Sequence, residues 1–393
     1  MLPKFKRCDL WTLRAVFPLS LCVLSLIAAS YGQTQQVASV VHTRYTINSA
    51  VLGEERTILV RVPDNYERTD ARYPVVYMLD AHPPQNAMMA GILEQQAWGG
   101  QIPEMILVGI QNTNRSRDLT PSDDGKGGSV GGGEKFLQFI EKEVIPLVEK
   151  NYRTQPYRIF AGHSLGGLAA IYCFSAHPDL FNAYIAASPT LSWDNNLVIR
   201  QAEKAFQERK VWNKTIFVGL GDEPDLSGGV NAFRDLLKKA KPKDLDYEFQ
   251  QYPGENHASV VLRVYYAGLR KIYAGWLPPK SGSVAELEDH YKKLSERFGY
   301  TIPVPEELLN QIGYQFLRGG KVAEALSVFR RNAELYPNSA NVYDSLAEAL
   351  EKNGQTRQAR ETYEKAFKMA EAQGDEALAN SSRKNFERLN NKQ

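Results

Sequence analysis

The chain has 393 residues, of which 43% are apolar, 10% aromatic and 23% charged, and its net charge is +2. That length exceeds one ordinary domain, and the composition excludes a largely disordered chain. So balanced a charge argues against nucleic acid or an anionic membrane surface as partner.

The N-terminus reads as a leader and not as fold. Lys4, Lys6, Arg7 and Arg14 precede an apolar run over residues 16–29, and Ser30 and Gly32 stand at positions −3 and −1 of a cut before Gln33. A basic segment, a short apolar segment and a small-residue site make a secretory signal peptide over residues 1–32. The run falls short of the about 20 apolar residues of a membrane span. An exported protein, periplasmic or secreted and without a stable span, is therefore expected. Cys8 and Cys22 belong to the leader, so the mature chain keeps Cys173 alone, among apolar neighbours that suggest a packed helix position.

Residues 33–278 alternate between short β-branched runs and longer helical patterns. Strands are expected at residues 41–47, 57–62, 75–79, 105–110, 158–161, 183–187, 216–220 and 247–252, and the clearest helices at 134–150, 165–175 and 230–240. Several strands are continuous apolar runs, as in sheets covered on both faces. The pattern predicts an α/β fold with a mostly parallel central sheet and an antiparallel edge where the first two strands follow each other directly. After Trp276 the character changes. Residues 279–305 read as a linker and a connecting helix, and residues 306–393 as helices throughout. There Ile312/Gly313 matches Leu346/Ala347, Gly320 matches Gly354, Ala325 matches Ala359 and Phe329 matches Tyr363, all at a spacing of 34. That period fits a pair of tetratricopeptide-like repeats, with a last helix from Glu376 as cap. Two repeats bury little alone, so the tail is expected to dock on the α/β part or on a protein partner.

The chemistry concentrates in Gly162-His163-Ser164-Leu165-Gly166-Gly167, placed between an expected strand and an expected helix. In that setting G-x-S-x-G is a nucleophile elbow, which predicts an α/β-hydrolase fold with Ser164 as nucleophile. Serine needs a base, and in this fold the order is serine, acid, histidine. Chain order removes His42, His82 and His163; His177 and His290 sit in a turn and on a polar helix face, leaving His257. The acid is expected in Gly221-Asp222-Glu223-Pro224-Asp225, with Asp225 preferred, Glu223 and Asp222 in reserve and Glu255 a poorer fourth. The oxyanion hole should combine the N–H of Leu165 with one from the loop after the third strand, where Pro83 and Pro84 have none and His82 does. Arg115 and Asp118 are candidates for the pocket mouth, or else for an internal salt bridge. Trp193 and Trp98 are candidates for its wall. No spacing implies a metal or a cofactor.

From residue 40 to 276 the chain resembles the esterase family that takes in esterase D, the ferric-enterobactin esterases, feruloyl esterase domains and the mycobacterial mycolyltransferases. The resemblance rests on Leu79-Asp80, on Arg115-Ser116-Arg117-Asp118-Leu119-Thr120-Pro121, on the elbow, on Ser188-Pro189-Thr190-Leu191-Ser192-Trp193 and on Asn256-His257. It implies hydrolysis of small-molecule carboxylic esters. The mycolyltransferase spacing implies Asp225 as the acid, and the second residue after the aspartate of Leu-Asp as oxyanion donor, which is His82. Siderophore trilactone hydrolysis and acyl transfer are the alternatives within the family. A non-catalytic scaffold that recruits a partner through the helical repeats is the alternative outside it.

Overall fold

The computed structural model of the protein describes residues 42–279 and 283–391; the expected leader lies outside them. Eight strands form one sheet: β1 (Thr43–Ser49), β2 (Glu54–Arg61), β3 (Tyr73–Met78), β4 (Ile106–Ile110), β5 (Thr154–His163), β6 (Ala183–Ala187), β7 (Lys214–Leu220) and β8 (Leu245–Gln251). Their order across the sheet is β1-β2-β4-β3-β5-β6-β7-β8. The β1–β2 and β2–β4 pairs are antiparallel, and every later pairing is parallel. The antiparallel edge is thus where the absence of an intervening helix places it.

The helices of this part are α1 (Pro83–Trp98), α2 (Arg115–Leu119), α3 (Gly133–Phe139), α4 (Ile145–Asn151), α5 (Leu165–Ala176), α6 (Trp193–Glu208), α7 (Pro224–Ala240) and α8 (Val260–Ile272). The stretch expected as one helix over 134–150 is α3 and α4 joined by a π turn, Ile140–Val144. That turn directly precedes Pro146, which has no N–H to give to a regular ladder. Helix α1 goes beyond the expected loop: Pro83 and Pro84 occupy its first turn, where amides lack intrahelical acceptors and proline costs nothing.

The sheet is buried on both sides. On β3, Val75 and Tyr77 point into one core with Phe160 and Tyr184, while Val76 and Met78 point into the other with Ile159 and Ile185. This strict alternation of side chains is the pleat at work. Cys173 is buried in α5.

The tail continues the second core. Helix α9 (Val284–Phe298) starts with a capping box between Ser283 and Glu286 and contributes Leu287, Tyr291, Leu294 and Phe298 to the cluster that holds Val76 and Ile185. The Phe298 ring lies 5.0 Å from that of Tyr157, 4.8 Å from Tyr273 and 5.8 Å from Trp276. Beside it, Arg297 donates to the carbonyls of Ile272 (2.7 Å) and Ala274 (2.5 Å), satisfying acceptors exposed where α8 ends. Of the two docking outcomes expected, contact with the α/β part is therefore the one observed.

Beyond it lie α10 (Glu306–Arg318), α11 (Val322–Leu335), α12 (Ala340–Lys352), α13 (Thr356–Gln373) and α14 (Glu376–Asn390). Positions 34 apart are buried alike: Ala325 with Ala359, and Phe329 with Tyr363. A Cβ on Gly313 would stand 2.5 Å from the Phe329 ring, so the small residue there lets α10 and α11 approach. Among the described residues no helix is long and apolar enough to cross a membrane.

Because Phe298 joins the tail to the sheet's core, Phe298→Ala should destabilise the whole chain by about 3–5 kcal/mol. Chemical denaturation monitored by fluorescence measures this, and a loss confined to the helical tail would show that the two parts unfold separately.

Candidate active site

All six parallel strands, β4, β3, β5, β6, β7 and β8, end at the same edge of the sheet, and the loops that leave them meet there, as ligand sites in open α/β sheets do. Ser164 occupies the sharp turn between β5 and α5 with φ 60° and ψ −116°, a strained conformation for a residue with a side chain. The turn closes only because Gly162 is bare: a Cβ there would stand 2.2 Å from the Gly166 carbonyl oxygen. Leu165 is the first residue of α5, so its N–H has no intrahelical acceptor and faces the end of the helix where negative charge is favoured.

The acid is where expectation and geometry part. His257 Nδ1 is hydrogen-bonded to Glu223, not to Asp225. Pro224 begins α7, which carries Asp225 into the first turn, exposed. Glu223 is the residue before the helix, with φ −129° and ψ 81°, and its longer side chain folds back over its own loop. One carboxylate oxygen takes His257; the other accepts from Ser188 Oγ and from the Gly221 N–H at 2.9 Å. Burial works to raise the Glu223 pKa, but the bonds from Ser188, His257 and Gly221 outweigh it and hold the carboxyl below its ordinary value. Asp222 acts on the backbone instead. Its carboxylate accepts the Gly254 N–H at 2.6 Å and its own N–H reaches the Glu255 carbonyl at 2.7 Å, tying the loop after β7 to the loop bearing His257. Glu255 turns away to Ser259 and Arg263.

Other expectations divide. Arg115 makes a bidentate ion pair with Asp80 (2.8 and 2.9 Å) and donates to the His163 carbonyl at 3.2 Å, so it joins the loop after β3 to the elbow. Asp118 is buried and cannot line a pocket. It pairs with Arg56 at 2.6 Å and Arg117 at 2.7 Å, and Arg56 lies over the rings of Phe136 and Phe139. The internal salt bridge is the reading that fits Asp118. The His82 N–H is directed at the Asp80 carbonyl, 2.7 Å away, so as an oxyanion donor it would have to exchange that bond for the new one. Trp193 donates its indole N–H to the Ser122 carbonyl at 3.2 Å and packs at the core's margin, while Trp98 is 86% exposed.

A cavity of about 350 Å³ opens beside the elbow. Leu79, Pro84, Met88, Val261 and Tyr265 form its apolar wall, and Asp80, His82, Arg115 and His163 its polar part. Neither Trp193 nor Asp118 borders it.

Two functional neighbours escape a reading by motif. Ser188, with φ 41°, is fully buried after β6 and supports Glu223; its place at the head of Ser188-Pro189-Thr190 was the available signal. The His163 ring lies against that of His257 in a tilted contact, the ring centroids 4.4 Å apart at 44°. Burial first, then the charge of His257, push the His163 pKa from 6.5 down to about 4. Its folded value being the lower one, the native state stays neutral where the unfolded chain takes up a proton. Stability is then complete above pH 6.5 and falls as pH drops towards 4. His163→Phe should flatten the stability profile within that window, as measured by thermal unfolding across pH; an unchanged slope would assign the acid sensitivity elsewhere.

The family model described as "Putative esterase" matches residues 49–228. The chain is 28% identical over 232 residues to the ferri-bacillibactin esterase BesA of Bacillus subtilis, a match covering 51% of this chain and 78% of the relative. Its fold superposes on the crystal structure of an IroE-like serine hydrolase from Shewanella oneidensis with a TM-score of 0.67 and 30% identity, covering 75% of this chain and 100% of that one. An uncharacterised protein from Capnocytophaga ochracea, 17% identical, shares the fold over 89% of this chain and 99% of its own, with a TM-score of 0.61. That coverage extends into the helical tail.

Proposed function

Since the chain belongs to the esterase family of α/β-hydrolases and is a carboxylic ester hydrolase, we propose that it cleaves its ester through an acyl-enzyme on Ser164, with His257 as base and Glu223 as the acid of the triad. The observation that carries this reading is the carboxylate of Glu223 on His257 Nδ1. With Nδ1–H given to Glu223, Nε2 is left as the lone-pair nitrogen that can accept a proton from a hydroxyl.

In the first half-reaction Ser164 Oγ attacks the ester carbonyl as its proton passes to His257 Nε2. The imidazolium formed is stabilised by the ionised Glu223, and then protonates the leaving alcohol. The oxyanion is received by the Leu165 N–H at the start of α5, with the His82 N–H as second donor once released from Asp80. Water deprotonated by His257 then attacks the acyl carbon, Ser164 leaves, and the acid is released. Among the described residues Ser164 Oγ has no hydrogen-bond partner; such bonds commonly tighten only when substrate is bound.

A siderophore ester is the substrate class favoured by the name of the Bacillus subtilis relative, and an apolar cavity with a guanidinium at its side would suit an aromatic acyl group carrying acidic hydroxyls. Export supports the same reading through the order of basic, apolar and small residues in 1–32. The 34-residue spacing supports tetratricopeptide-like repeats, and through them a protein partner.

A fluorophosphonate probe should label Ser164, located by mass spectrometry, and Ser164→Ala should lower kcat by at least about 10³-fold in a folded protein. Retained turnover would refute the nucleophile. Glu223→Gln should lower kcat by about 10²–10⁴-fold and Asp225→Asn should leave it near wild type. The reverse order would return the acid to Asp225.

A further inference from the structure

Among the described residues His257 has one ring hydrogen bond, from Nδ1 to Glu223. Its side chain is 45% exposed, it sits on the loop between β8 and α8, and the hydrogen bond from its ring to Glu223 fixes one edge. A ring bonded at one nitrogen can still pivot about that bond, which would swing Nε2 away from Ser164. The missing constraint has to act on the ring's face.

We propose that His163 is a positioning residue for His257, holding the imidazole by its face while Glu223 holds it by its edge; the inference rests on the assignment of Ser164 and His257 made above. The two ring centroids are 4.4 Å apart at 44°. His163 is itself immobile: it lies between the end of β5 and the strained Ser164, and its carbonyl takes a hydrogen bond from Arg115 at 3.2 Å. Its Nε2 is buried without a hydrogen-bond partner, and besides the ring contact His163 also meets the backbone of His257, which acts against the burial that lowers its pKa. Because burial keeps the His163 ring neutral, it can rest against the transient imidazolium without charge repulsion. The other charged groups facing it are Arg115 and Asp80, already bound to each other. The same residue that shapes the elbow therefore aligns the base with the nucleophile beside it, and the two parts of the reaction share one rigid strand end.

The test uses the full mature chain, p-nitrophenyl acetate as substrate and a fluorophosphonate to count active sites, so that kcat is expressed per titrated serine. His163→Ala should lower that kcat about 10- to 100-fold, the scale of a misplaced base. His163→Phe restores a ring face without the imidazole nitrogens and should recover kcat to within about threefold of wild type. A residue that matters only for packing would lower the unfolding temperature and the titratable fraction while leaving kcat per site intact, and that result would overturn the proposal. So would a phenylalanine variant as slow as the alanine one, since a ring face would then not suffice. Inactive Ser164→Ala and His257→Ala variants beside a fully active His163→Ala would sink this inference alone, whereas active Ser164→Ala or His257→Ala would remove the reading beneath it.

Discussion

Three strand ends converge on the carboxylate of Glu223. Ser188 comes from the end of β6, the Gly221 N–H from the end of β7 and His257 from the loop after β8. A carboxylate with that many donors is both ionised and immobile, because burial that would favour the neutral acid is outweighed by bonds made to the charged form. Everything else at the site is arranged around this fixed charge. Asp222 and Glu255 join the two loops through backbone groups, and the Arg115–Asp80 pair fixes the opposite side, from the loop after β3 to the elbow. His257, bonded to Glu223 and in contact with His163 of the elbow, lies between these two sides.

The parallel sheet makes this possible. Strands that run the same way deliver their loops to one edge, and two buried faces keep the strands from shifting register. Cores on both faces require cover on both faces, and here part of the second cover comes from outside the α/β region. Phe298 and the other apolar residues of α9 complete a cluster that begins on the sheet itself. The helical tail is therefore integral to the stability of the α/β part: Leu309 of α10 and Val328 of α11 join the same cluster, and a further small core gathers around Phe329 and Tyr363.

Much of this was legible in the residues. Eight apolar runs became the eight strands, and Gly162 to Gly167 became the elbow between β5 and α5, because local pattern and local turn chemistry agree there. The 34-residue spacing correctly paired Ala325 with Ala359 and Phe329 with Tyr363 as buried positions. The errors fell on residues whose role depends on direction. Pro83 and Pro84 looked like loop but open α1; Asp118, equally a candidate for the pocket mouth and for an internal salt bridge, forms the salt bridge with the buried Arg56.

The sequence by itself determined the fold class, the elbow serine and His257 as its candidate partner, since each depends on periodicity, on a short motif, or on succession along the chain together with local context. For the acid it preferred Asp225, with Glu223 and Asp222 in reserve and Glu255 a poorer fourth, whereas the carboxylate on His257 is that of Glu223. That contact depends on a helix beginning at Pro224, which leaves Asp225 exposed in its first turn, and on Ser188, 35 residues earlier, reaching across to Glu223. The contact of His163 with His257 was equally hidden, because the two rings come from the end of β5 and the loop after β8, strands that are not neighbours in the sheet. Side-chain direction and long-range juxtaposition are properties of the closed tertiary structure, and only it could decide them.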